Sequence, residues 1–74
     1  MDSTESKIWD LIESLGIATE DEMSLVTDIN GYSPESLMDI IYARAGLRSL
    51  KQVASEYDVN LEEWGFDEDE IETY

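Results

Sequence analysis

The stretch that decides the fold is residues 31–46, which read GYSPESLMDIIYARAG. Ser33 followed by Pro34 is typical of a helix start, because Ser can cap free backbone N–H groups and Pro already has a helical φ. The apolar residues that follow cover more than half of the helix circumference, as in a mostly buried helix. Gly46 ends it, since glycine readily adopts the left-handed conformation found just past helix ends. The stretch predicts a central helix with other helices packed around it.

Three further helices are predicted around this one. Apolar residues at i, i+3, i+4 and i+7 mark the first, from about residue 4 to residue 15. A capping-box pattern at residues 19–22 begins the second, and a similar pattern at residues 49–52 begins the fourth. We therefore expect an all-α, compact bundle of three to four short helices over residues 1–58. Its predicted core consists of Ile8, Leu11, Ile12, Leu15, Val26, Ile29, Leu37, Ile40, Ile41, Leu50, Val53 and Tyr57.

The last part of the chain has a different composition. From residue 56 to residue 74 there are nine acids and no base, whereas the first 55 residues hold ten acids and all four bases. Residues 59–74 are predicted to form an acidic C-terminal extension, loosely held towards its end and packed in part on the bundle. Its aromatic residues allow two interpretations. Either Trp64 and Phe66 close the core of the small domain, or they anchor a partner, since aromatic residues are enriched at binding hot spots.

Composition excludes several functional classes. The chain has 74 residues, a formal net charge of -15, and no His or Cys. It therefore has no Ser-His-Asp triad, Cys nucleophile or thiolate zinc site, and its isolated glycines form no phosphate-binding loop. Such an acidic surface repels nucleic-acid phosphates and anionic membranes, and no apolar run approaches the ~20 residues of a membrane span. We predict a non-enzymatic cytoplasmic protein that has no cofactor or metal and binds neither nucleic acid nor membrane directly.

Three of the four basic residues, Arg44, Arg48 and Lys51, lie close together in the sequence. One interpretation is internal ion pairing that offsets repulsion between acids, and Arg44 near a helix C-terminus also suits the helix dipole. The other is a contact point for an acidic patch on a partner or on a second copy.

Three segments carry a resemblance to known proteins: IATE at residues 17–20, LVTDINGY at residues 25–32 and DIIYAR at residues 39–44. On these, the chain from about Gly16 to Gln52 resembles small uncharacterised acidic proteins of bacteriophages and bacterial mobile elements. By size and charge alone, the whole chain also resembles phage DNA-mimic proteins, including antirestriction and anti-CRISPR inhibitors. This second resemblance implies carboxylates that replace duplex phosphates in the DNA-binding groove of a host enzyme, in the host cytoplasm.

The first functional hypothesis is a non-enzymatic inhibitor of the DNA-mimic type that occupies a basic, nucleic-acid-binding surface of a host protein. It rests on the net charge of -15 in a chain with enough apolar residues for a core. The expected contacts are acids in two patches: Glu62, Glu63, Asp67, Glu68, Asp69, Glu70 and Glu72 in the extension, and Glu20, Asp21 and Glu22 at the second helix.

Two alternatives come from other functional classes. The second hypothesis is a small protein–protein adaptor or regulator that docks through the C-terminal apolar residues Trp64, Phe66, Ile71 and Tyr74. The third is an acidic structural or virion-associated protein that acts by self-assembly. The sequence also allows a homodimer.

Overall fold

The computed structural model describes residues 3–74, and this part of the chain contains five α-helices and no β-strand. The helices are α1 (Thr4–Leu15), α2 (Glu20–Asn30), α3 (Pro34–Ala45), α4 (Leu50–Tyr57) and α5 (Glu68–Thr73). The all-α class is confirmed. The bundle predicted over residues 1–58 has four helices within the described residues 3–58, and the additional helix α5 lies in the segment that was expected to be loosely held.

Side-chain oxygens cap the start of the first four helices, each accepting a hydrogen bond from the backbone N–H three residues ahead. The capping residues are Ser3, Thr19, Ser33 and Ser49. In the two predicted capping boxes, at the starts of α2 and α4, the side chain expected to bond back to the N–H of the capping residue has a different partner. The Glu22 carboxylate pairs with Arg44, and Gln52 Oε1 accepts from the N–H of Arg48 at 2.6 Å. Competing partners therefore take the side chains that would have completed both boxes.

Helix α3 lies at the centre of the bundle and packs against both α1 and α2, while α4 packs against α5. Eight of the twelve predicted core residues are buried, and Leu15, Val26 and Tyr57 are half-buried beside them. The buried hydrophobic residues are Ile8, Leu11, Ile12, Ile17, Ala18, Met23, Leu37, Ile40, Ile41, Leu50, Val53, Leu61 and Phe66. Every helix except α5, together with two connecting segments, thus contributes buried residues to one core.

Ile29 was predicted to be a core residue, and this is wrong: its side chain is 73% exposed. Helix α2 buries Met23 instead, and Leu25 is 62% exposed. Residues two apart are separated by about 200° around the helix axis and therefore lie on nearly opposite sides. Met23 and Leu25 cannot both face the same core. Because Met23 faces inward, the side of α2 that carries Leu25 and Ile29 faces solvent.

The predicted extension folds back onto the bundle. Backbone N–H groups of residues 63–65 each bond to the carbonyl three residues earlier and form a turn, and Leu61 and Phe66 on either side of it are buried. The last residue is fixed as well, because the N–H of Leu50 donates to the carbonyl of Tyr74 at 2.7 Å. The expectation of a loosely held end is therefore corrected, since local and long-range bonds both fix it.

The end of α1 depends on a left-handed residue. Gly16 has a φ of +70°, its N–H bonds to the carbonyl of Glu13, and the N–H of Ile17 bonds to that of Ile12. Together these bonds satisfy carbonyls that the helix end would leave free.

Substituting Gly16→Ala should lower the free energy of unfolding by about 1 kcal/mol, because an L residue is strained in this conformation. An added Cβ would meet no atom within 4 Å, so the cost comes from the backbone alone. Urea unfolding followed by circular dichroism measures it, with Ser14→Ala on the exposed side of α1 as the control. Equal stability of G16A and S14A would contradict this account of the helix end.

Candidate functional site

The outer surface of the bundle is dominated by carboxylates. Fifteen of the eighteen acidic side chains within residues 3–74 are exposed, and the other three, Glu5, Glu22 and Glu70, are half-buried. Few cations offset them. Because exposed like charges add up to a field over the whole surface, the protein presents a strongly negative potential to an approaching molecule.

The four basic residues occupy different environments. Lys7 and Arg44 each form a salt bridge, with Glu70 and Glu22 respectively. Arg48 lies over the ring of Tyr42, 5.0 Å from its centroid, and donates to its hydroxyl at 3.2 Å. Lys51 is exposed and forms no salt bridge within residues 3–74. Of the two interpretations of this basic cluster, internal ion pairing therefore applies to Arg44 but not, within residues 3–74, to Arg48 or Lys51.

Six of the seven acids predicted as contacts in the C-terminal part are exposed. They lie on two ordered pieces of backbone, the turn around residues 61–65 and helix α5, which flank the buried Phe66. We call these six the C-terminal patch: Glu62, Glu63, Asp67, Glu68, Asp69 and Glu72. Asp67 also caps α5, its Oδ1 accepting from the N–H of Glu70 at 2.9 Å. The patch is therefore held on folded backbone.

Glu70 does not belong to this exposed patch, which corrects its predicted place among the contacts. Its side chain is only 12% exposed, and Oε1 lies 2.9 Å from Lys7 Nζ on α1. Oε1 also accepts from the N–H of Asp67 at 3.0 Å, and Oε2 accepts from Thr4 Oγ1. Asp67 and Glu70 thus form a complete capping box whose second carboxylate also connects α5 to α1.

These contacts change the acidity of Glu70. Burial alone would raise the pKa of this carboxyl, but the hydrogen bonds from Thr4 and Asp67 and the ammonium of Lys7 favour the charged form. The pKa falls from its ordinary value of 4.5 to about 2. Glu70 is therefore a structural anion that joins α5 to α1.

The C-terminal aromatic residues face the core to different degrees. Phe66 is 3% exposed, and Lys7 Nζ lies 6.0 Å from the centroid of its ring. Trp64 and Tyr74 are half-buried and pack against the core, as does Ile71. Phe66 is therefore a core residue and not an exposed anchor, because a partner could reach its ring only after the bundle opened.

At the second predicted patch, Glu20 and Asp21 are exposed in the first turn of α2. Carboxylates there are stabilised by the positive end of the helix dipole. Glu22 is half-buried and pairs with Arg44 of α3, whereas Glu20 and Asp21 form no salt bridge within residues 3–74.

A groove between α2 and α3 was not predicted. Its walls are formed by Glu22 and Val26 on α2, and by Asp39, Ile40, Ala43 and Arg44 on α3, around a volume of about 470 Å³. The sequence did contain an indication of this surface. Four apolar residues on α2, Met23, Leu25, Val26 and Ile29, span an arc of about 160°, which is wider than the stripe of about 100° that usually faces a core.

Neither a metal centre nor a membrane span is recognisable in the described part of the chain. Within residues 3–74 no three acidic side chains are placed to share a metal ion. None of the helices there has the length and apolar character needed to cross a bilayer.

Comparison with protein families, with curated proteins and with solved structures finds no match to this chain.

Proposed function

We propose that the protein is a non-enzymatic acidic inhibitor that binds a basic, nucleic-acid-binding surface of another protein, in the manner of a DNA mimic. The observation that supports this most directly is the exposure of fifteen carboxylates on a folded domain, two of whose four cations are paired with acids. A nucleic-acid-binding surface carries Lys and Arg that neutralise phosphates, so it attracts a densely negative surface. The proposed site of action is the cytoplasm, that of the host if the protein is encoded by a phage.

The order of the C-terminal patch favours binding. Its acids lie on a hydrogen-bonded turn and on a helix connected to α1 through Glu70, so the backbone is already fixed before a partner arrives. Fixing a flexible segment on binding would lower the affinity by its lost conformational entropy. The exposed charges also increase the rate of encounter with a basic surface, and salt screens this effect.

Neutralising three acids of the C-terminal patch should weaken capture of basic proteins by at least about tenfold, since each interfacial charge pair contributes to steering and affinity. The variant is Glu62→Gln, Glu63→Gln and Glu68→Gln, which spares the cap at Asp67. The immobilised protein is exposed to the heparin-binding fraction of a bacterial extract, and captured protein is measured as salt or duplex DNA is added. Both are expected to release it.

A matched control removes the same charge elsewhere. Asp10, Glu13 and Glu56 are exposed and lie outside both patches, so the triple amide variant at these positions keeps the net charge of the test variant. Equal losses in the two variants would mean that overall acidity, and not the patch, drives capture. Capture that duplex DNA fails to reverse would contradict occupation of a nucleic-acid-binding surface.

A further inference from the structure

The exposed apolar residues of α2 continue the groove between α2 and α3. Glu22, Leu25, Val26 and Ile29 are spaced i, i+3, i+4 and i+7, so they share one face of α2. Glu22 and Val26 line the groove directly, and Leu25 and Ile29, 62% and 73% exposed, extend the same face towards solvent. Large apolar side chains that cluster on a surface mark interaction sites more often than single ones do.

Carboxylates lie on both sides of this apolar face. On α2, the exposed Asp21 and Asp28 lie four residues before and three after Leu25, so they are its neighbours on the helix surface. On α3, Asp39 lines the groove and the exposed Glu35 lies one turn before it. Arg44 also lines the groove, but its charge is paired with Glu22. The surface thus has an apolar centre between edges on which carboxylates are in excess, and an occupant needs the complementary pattern.

The charge of the groove distinguishes between the molecules that could occupy it. A second copy would place this same face against itself and bring the acidic edges of both molecules together, at a net charge of -15 on each. Helix α5 does not cover the groove, because it packs on α4 and the carbonyl of Tyr74 after it accepts from the N–H of Leu50. A helix with an apolar stripe flanked by Lys and Arg matches both the groove and its edges.

We infer that the groove between α2 and α3 binds a basic amphipathic helix of a partner protein. Leu25, Val26 and Ile29 contact its apolar stripe together with Ile40 and Ala43, and Asp21, Asp28 and Asp39 pair with its cations. This site is separate from the C-terminal patch and does not require that the partner bind nucleic acid.

The test uses a fluorescent Leu/Lys peptide of about 18 residues, roughly five helical turns, with Leu at i, i+3, i+4 and i+7. A scrambled peptide of the same composition has the same charge but no apolar stripe. At about 150 mM salt, where long-range attraction is screened, the amphipathic peptide should bind at least tenfold more tightly than the scrambled one. Backbone amide NMR shifts should change most at Val26, Ile40 and Ala43.

The decisive variant is Leu25→Gln combined with Ile29→Gln. Both side chains are mostly exposed, so thermal unfolding should be unchanged while peptide affinity falls at least tenfold. The triple amide variant of the C-terminal patch, in contrast, should keep its preference for the amphipathic over the scrambled peptide. This separates failure of the groove from failure of the proposed inhibition.

Three results would overturn the inference. Equal affinity for both peptides would show that only charge matters. Shift changes concentrated on α5 and the turn before it would move the site to the C-terminal patch. A concentration-dependent dimer that the double variant abolishes would show that a second copy covers the face.

Discussion

Replacing Phe66 with alanine is expected to unfold most of the protein at room temperature. The ring is 3% exposed and lies in the same core as residues of α1, α3 and α4. Truncating a buried Phe to Ala typically costs about 3–5 kcal/mol, and a domain of this size rarely has more than ~3–5 kcal/mol of net stability. Circular dichroism and urea unfolding should therefore show a largely unfolded F66A.

Two further variants make this result specific. Phe66→Leu keeps most of the buried apolar volume and should remain folded with a lower urea midpoint. Tyr42→Ala removes an aromatic ring that is 48% exposed, so its effect on stability should be small. A folded F66A with an unchanged midpoint would contradict the core assignment and would support the adaptor hypothesis, in which this ring anchors a partner.

Helix boundaries could be predicted because they depend on neighbouring residues. A Ser or Thr that caps a helix accepts from an N–H three residues ahead. A glycine ends a helix because it can adopt the left-handed backbone conformation without strain. Thr19, Ser33 and Ser49 therefore begin helices where their sequence context indicated, and Gly46 ends α3. The all-α class follows from these same local patterns.

The orientation of α2 and the order of the C-terminal segment depend on distant contacts. Whether Met23 or Ile29 is buried depends on how α2 rotates against α3, and the apolar spacing allows both. The pattern of Asp67 and Glu70 is that of a capping box, but the weak helical spacing of the acidic segment predicted a loosely held end. The cation that stabilises Glu70 is Lys7, 63 residues earlier. The sequence therefore indicated an acidic surface, but not which acid is structural or where the groove lies.

Substituting Glu70→Gln should lower the free energy of unfolding at neutral pH by about 2–3 kcal/mol. The pKa of Glu70 falls from 4.5 to about 2 in the folded protein, and such a difference corresponds to about 3 kcal/mol of stability from the charged form. A glutamine oxygen can still accept from Thr4, but it has no charge to pair with Lys7. Urea unfolding of the two proteins at pH 7 measures the difference.

The pH dependence of this difference identifies its cause. Since the folded pKa is depressed, the stabilisation is fully present above about pH 4.5 and is lost as the pH falls towards 2. Protonation of the exposed acids relieves repulsion over the same range, but it acts equally on both proteins and cancels in the comparison. The gap between wild type and E70Q should therefore close near pH 2, whereas E72Q, exposed on the same helix, should differ little from wild type at any pH. A gap that persists at pH 2 would mean that packing, and not the charge of Glu70 held by Thr4, Asp67 and Lys7, connects α5 to α1.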